Sequence, residues 1–98
     1  MKIIWTPLAI DRTTEITEYI AQDNPTAAIK WVDTLFEKVS LLKSLPETGR
    51  IVPETHRDDI RELIYGNYRV IYSVDKKRIC VLTVRHSRQI LPTEEIKV

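Results

Sequence analysis

Cysteine is almost missing from this chain: Cys80 stands alone among 98 residues. A single thiol cannot close an intrachain disulfide, and zinc clusters built from cysteines are excluded with it. Cys80 lies in an apolar run, where a lone thiol behaves as a small buried hydrophobe. Only two glycines occur. Gly49-Arg50 has no phosphate-loop context, because no helix pattern follows it. Long apolar runs are also absent, and nothing approaches the roughly 20 residues of a membrane helix. The opening Met1-Lys2-Ile3-Ile4-Trp5 is too short and too aromatic for the apolar segment of a signal peptide. There is no internal repeat and no low-complexity stretch. No serine–histidine–aspartate set or metal-ligand spacing stands out, so neither cofactor nor metal is expected. These absences leave a soluble, cytoplasmic protein of one domain, residues 1–98.

A chain of this length buries roughly 60–65% of its unfolded surface, enough for one modest core. Net charge is +1 and names no partner by itself, but its distribution is uneven. Residues 1–49 hold 5 basic and 7 acidic side chains, whereas residues 50–98 hold 10 and 7. Arg12 is the only arginine of the first half; Arg50, Arg57, Arg61, Arg69, Arg78, Arg85 and Arg88 fall in the second. Arginine suits sites where a planar group grips a carboxylate or a phosphate. Glu54, Asp58, Asp59 and Glu62 offer the first kind of partner. A salt-bridged surface and a binding role therefore both stay open.

The spacing predicts a short first strand at Ile3-Ile4-Trp5. Thr6 then offers a helix cap and Pro7 suits the first helical position. Ala9, Ile16, Tyr19 and Ile20 carry a first helix to about Gln22. Asn24-Pro25 repeats the start signal. Ala28, Trp31, Val32, Leu35, Val39 and Leu42 form the apolar stripe of a second, longer helix ending at Leu45-Pro46. The link between them is so short that the helices form an antiparallel hairpin. Residues 46–57, with Pro46, Gly49 and Pro53, read as an irregular connection. Strands follow at Asp59–Tyr65, Tyr68–Val74 and Arg78–His86, joined by hairpin-length links at Gly66-Asn67 and Lys76-Lys77. The tail Ile90–Val98 is left open between a strand and a loose end. The order β-α-α-β-β-β is an α+β fold, with a helical hairpin on one face of a small, mainly antiparallel sheet.

Two-residue links fix a register. Tyr65 then pairs with Tyr68, Ile64 with Arg69, Arg69 with Val84 and Ile71 with Leu82. Directly paired residues share a face. Glu62, Ile64, Arg69, Ile71, Leu82, Val84 and His86 thus line the face turned away from the helices. Acid, guanidinium and imidazole together could perform acid–base work on a phosphodiester, with arginine stabilising the charge that develops. The same three side chains also make a structural ion cluster, and a one-residue bulge would separate them. Both sheet faces are apolar while the helices can cover one, so the second face is expected to meet a partner, or a second copy of the chain.

At these motifs the chain resembles the RelE/ParE superfamily of type II toxin–antitoxin toxins. The segments that carry the likeness are Ile4-Trp5-Thr6-Pro7, Tyr19-Ile20-Ala21, Asn24-Pro25, Ala27-Ala28 and Pro46-Glu47-Thr48-Gly49-Arg50. Ile60-Arg61-Glu62-Leu63, Tyr68-Arg69-Val70-Ile71-Tyr72 and Val84-Arg85-His86-Ser87-Arg88 complete it, and together they span essentially the whole chain. The resemblance implies a bacterial toxin of plasmid or chromosomal maintenance, neutralised by an antitoxin that wraps its exposed surface. Arg61, Ile64, Ile71, Leu82, Val84, Arg85 and Arg88 are the expected partner-binding residues. RelE-like and YoeB-like members are ribosome-dependent mRNA endonucleases, and in that branch Arg69, His86 and Glu62 would be catalytic. ParE-like members inhibit DNA gyrase. Here Ser87 stands where the YoeB-like pattern has an aromatic residue, no terminal tyrosine is present, and Ile60-Arg61-Glu62 lacks the paired lysines of RelE-like members. These departures, the long helical hairpin and the Arg-His-Ser-Arg ending favour the ParE-like branch. A non-toxic dimeric module of the same fold is the remaining alternative.

Overall fold

Two side-chain caps set the helical layer. In the computed structural model, which describes residues 1–96, β1 (Lys2–Trp5) runs straight into the cap of α1 (Pro7–Asp23). The Thr6 hydroxyl accepts from the Ala9 N–H at 3.1 Å and itself donates to the Leu82 carbonyl at 3.0 Å, so the cap also staples the helix to the sheet. Asn24 ends α1, donating its N–H to the Ile20 carbonyl, and opens α2 (Pro25–Ser40) by accepting from the Ala27 N–H at 3.0 Å. One residue thus serves two helices, which forces the tight antiparallel hairpin. A single 3-10 turn, Leu41–Lys43, finishes α2.

The sheet has five strands in the order β1-β5-β4-β3-β2, from β2 (Arg50–Ile51), β3 (Ile60–Tyr65), β4 (Tyr68–Val74) and β5 (Arg78–His86). β1 is parallel to β5 and every other pairing is antiparallel. The α+β, two-layer expectation holds, with one addition: β2 lies inside the stretch read as irregular. The β3–β4 register is also as expected, with Tyr65 opposite Tyr68 and Ile64 opposite Arg69. Gly66 opens that hairpin at φ +56°, the left-handed conformation that a primed two-residue turn asks of its first central residue. The helices pack on one face over Ala9, Leu35, Val39, Leu42, Val70, Tyr72, Ile79, Val81 and Val84.

Two expectations are overturned. First, β5 carries a bulge. Near the hairpin Ser73 faces Cys80 and Tyr72 faces Val81, but Ile71 faces Thr83 and Arg69 faces Arg85 rather than Val84. Leu82 is the extra residue. A bulge shifts every later side chain by one place and so to the opposite face. Val84 and His86 therefore turn towards the helices, and Arg85 turns to the side of Arg69. Second, the far face of the sheet is not left bare. The loop after β2 and the chain after β5 fold across it, and Val52, Ile60, Ile71, Leu82 and Leu91 form a second buried cluster. The tail makes no strand; it crosses as a strap with a 3-10 turn at Thr93–Glu95, and its last two residues lie outside the described residues.

Candidate functional site

The strap is held by two carboxylates gripped by arginines. Arg69 sits on the far face, and its side chain is nearly buried. Its Nε donates to Glu62 Oε1 at 2.6 Å. Its two Nη atoms donate to Glu54 Oε2 and Oε1, both at 2.9 Å, in a forked pair. Nη1 also donates to the Gln89 carbonyl at 3.1 Å. Glu62 has no exposed side-chain surface, and its other oxygen accepts from Arg50 Nε at 2.7 Å. Glu54 Oε2 accepts the Leu91 N–H at 3.2 Å. Arg69 thus joins the sheet, the loop after β2 and the strap in one cluster. Charge-assisted, forked contacts of this kind are the strong class of protein hydrogen bond. The bonds from Arg69, working against partial burial, hold the Glu54 carboxyl down to about 2 from its usual 4.5. The bonds to Glu54 and Glu62 outweigh burial to raise the Arg69 guanidinium above its ordinary value.

Glu95 makes the second grip. Its Oε1 accepts from the Thr83 hydroxyl at 2.9 Å, and its Oε2 accepts from Arg85 Nη1 at 2.7 Å and Arg12 Nη2 at 2.9 Å. Burial pushes this carboxyl up, but the bonds from Arg12, Thr83 and Arg85 outweigh it and hold it below the usual range. Arg12 ties α1 to the strap, and it also meets Glu15 at 3.1 Å.

His86 is placed elsewhere. Its ring lies edge-on to Tyr68 at 5.7 Å, in an aromatic row that continues through Trp31 to Tyr65. Its Nδ1 accepts the Arg88 N–H at 3.2 Å. The expected cluster of Glu62, Arg69 and His86 is therefore half right: the structure brings acid and arginine together, and the bulge puts the imidazole on the other side of the sheet. Of the expected partner-binding residues, Ile71, Leu82 and Val84 are buried within the chain, so the uncovered far face does not exist in this conformation. Arg85 is spent on Glu95, and Arg61 donates to the Gly49 carbonyl at 2.8 Å. Ile64 and Arg88 are exposed. Sequence reasoning named Glu54 and Glu62 as carboxylates available to arginine but missed Arg12 and Glu95, which lie 83 residues apart. Among the described residues no group of three or more histidine, cysteine, aspartate or glutamate side chains is arranged to hold a metal.

Open apolar surface lies instead on the helical side. A groove of about 520 Å³ runs between α1 and α2, lined by Ile10, Thr14, Thr17, Val32 and Phe36 with Trp5 at its end.

A family model described as the ParE toxin of the type II toxin–antitoxin system parDE matches residues 3–91. The chain belongs to the ParE toxin family. Among curated proteins, this ParE-family chain is 32% identical over 93 residues to Y4kP of Sinorhizobium fredii (strain NBRC 101917 / NGR234), whose name gives it an inferred toxin role; 93% of each chain is covered. Its fold matches a chain of the chromosomal ParDE TA system from P. aeruginosa with a TM-score of 0.72 and 24% identity, covering 88% of this chain and 95% of that one. The ParE-like reading of the sequence motifs is thereby borne out, as is the toxin–antitoxin class.

Proposed function

We propose that this ParE-family toxin acts in the bacterial cytoplasm by inhibiting DNA gyrase, and that a cognate antitoxin protein neutralises it. One observation carries the choice against the nuclease branch: the guanidinium of Arg69 is already occupied by Glu62 and Glu54, while His86 stands on the opposite face of the sheet. A ribonuclease arginine must meet a phosphate and share it with an acid–base group at hydrogen-bond range. Here the phosphate would have to displace a forked carboxylate, and the imidazole would approach from the wrong side. Exposed Ile10, Ile29 and Phe36 on the helices support a protein partner, as does the exposed pair Ile64 and Arg88 near the β3–β4 hairpin and the end of β5.

The test sets two assays side by side. The purified toxin should block supercoiling by gyrase in a dose-dependent way, and co-purified antitoxin should relieve the block. In a reconstituted translation reaction it should leave ribosome-bound mRNA intact. Cleaved mRNA that disappears with Arg69→Lys or His86→Ala would replace this reading with the endonuclease one. Expression without antitoxin that leaves growth unaffected would speak for a non-toxic module of the same fold.

A further inference from the structure

β1 ends the sheet, and no described strand lies beyond it. Its inward hydrogen bonds are visible at both ends: the Lys2 N–H donates to the Lys77 carbonyl at 3.3 Å and the Thr6 N–H to the Val81 carbonyl at 3.1 Å. In a parallel ladder alternate residues of a strand bond the same neighbour. Ile3 and Trp5 therefore turn their N–H and C=O groups outward, away from β5. Such a row is a template for another strand. The opposite edge, β2, is only two residues long and offers much less.

The edge also comes with a place for side chains. Ile3 and Trp5 pack towards the helices. Beside them a trough of about 530 Å³ opens between β1 and the end of α2, lined by Met1, Phe36, Val39 and Lys43 as well as Lys2. Phe36 is 48% exposed there and leans on the Trp5 ring at 4.8 Å between centroids. A strand laid against β1 would drop every second side chain into this trough. Charge narrows the occupant. Lys2 and Lys43 border the trough, and no described carboxylate lines it. Lys76, Lys77 and Arg78 stand at the same end of the sheet, next to Lys2, with Asp75 as the acid of that turn.

We infer that β1 is a docking edge for an extended segment of the antitoxin that alternates apolar and acidic residues and joins the sheet as a further strand. This rests on the toxin–antitoxin reading above and adds to it the place and chemistry of contact.

The experiment uses the toxin co-expressed and purified with the product of the adjoining antitoxin gene. Residue-level amide hydrogen exchange is compared between free toxin and complex. The Ile3 and Trp5 amides should slow by at least about a hundredfold in the complex. Lys2→Glu/Lys43→Glu should weaken binding roughly tenfold at low salt, an effect that fades as salt rises. Phe36→Ser should weaken it as well, whereas Ile51→Ser on the far edge should leave it unchanged. A stable complex in which Ile3 and Trp5 gain no protection overturns the inference and leaves the toxin–antitoxin reading standing. Protection that grows with toxin concentration in the absence of antitoxin makes a second copy the occupant and also overturns it. If no complex forms, the reading beneath the inference fails too.

Discussion

Replacing Arg69 with methionine removes the centre of the far-face cluster while keeping much of its side-chain volume. The variant loses four hydrogen bonds, to Glu62, to both oxygens of Glu54 and to the Gln89 carbonyl. Glu62 would remain wholly buried with one cationic partner, Arg50, whose side chain is 66% exposed. Removing one partner of a buried ion pair costs about 3–5 kcal/mol, because the other charge is left uncompensated. Domains of this size hold about 5–15 kcal/mol in total, so the loss is a large share of it. For a domain near 100 residues it corresponds to a fall in Tm of about 12–20 °C. Urea unfolding followed by far-UV circular dichroism measures it directly. The decisive control is the double variant Arg69→Met/Glu62→Leu. With the desolvated carboxylate gone, most of the lost stability should return, since well-packed apolar pairs replace buried ion pairs at little cost. A single variant that loses less than about 1 kcal/mol, or a double variant no more stable than the single, would refute the argument. The result also governs how loss of toxicity in Arg69 variants is read. A drop in the single variant that recovers in the double reports folding and not chemistry at a phosphate.

Three further outcomes follow from the same geometry. Glu54 is held at about 2, below its usual 4.5, so its contribution is fully present above pH 4.5 and is lost as pH falls towards 2; it amounts to at most about 3 kcal/mol before solvent screening, and acid titration should show residues 89–96 becoming open to hydrogen exchange before the helices do. Gly49→Ala would place a methyl group 2.5 Å from the Glu62 carbonyl and from the Tyr72 hydroxyl; with the Gly49 N–H to Tyr72 contact broken, thermal unfolding should show a loss of about 1–3 kcal/mol. Ending the chain after Gln89 would expose Ile71 and Leu82, now 0% and 2% exposed; binding of the dye ANS should rise while far-UV helix content stays close to that of the full chain.

Much of the fold was legible because its signals are local. Thr6-Pro7 and Asn24-Pro25 each pair a capping side chain with a residue preset for the first helical turn, and Gly66-Asn67 fixes one hairpin by itself. The bulge was not legible. Val81-Leu82-Thr83-Val84 is an unbroken run of residues that all suit a strand, and its composition holds nothing to say that Leu82 and Thr83 share a face. That single offset decided where His86 points, and hence whether the chain carries a nuclease-like trio. The strap was hidden for another reason. Its apolar content is sparse, and its hold on the domain comes from charges far away in sequence: Glu54 to Arg69, and Glu95 to Arg12 and Arg85. No window of neighbouring residues contains such information, whereas the arginine excess of the second half did show that carboxylates or phosphates had to be met somewhere.

The bulge also explains why the strap must be acidic. By shifting the register it sets Arg69 directly opposite Arg85 on adjacent strands. Like charges in that position repel, so each arginine needs a carboxylate of its own. Glu62 and Glu54 serve the first and Glu95 serves the second. The strap is thus more than a lid on apolar surface, since it completes the neutralisation of a paired cationic site that the sheet itself creates. A partner that bound the far face would have to replace both the apolar cover of Leu91 and the charge of Glu95. An approach to the β1 edge or to the groove between the helices replaces nothing. The same physics that turns Arg69 away from catalysis therefore directs protein partners towards the helical side of the molecule.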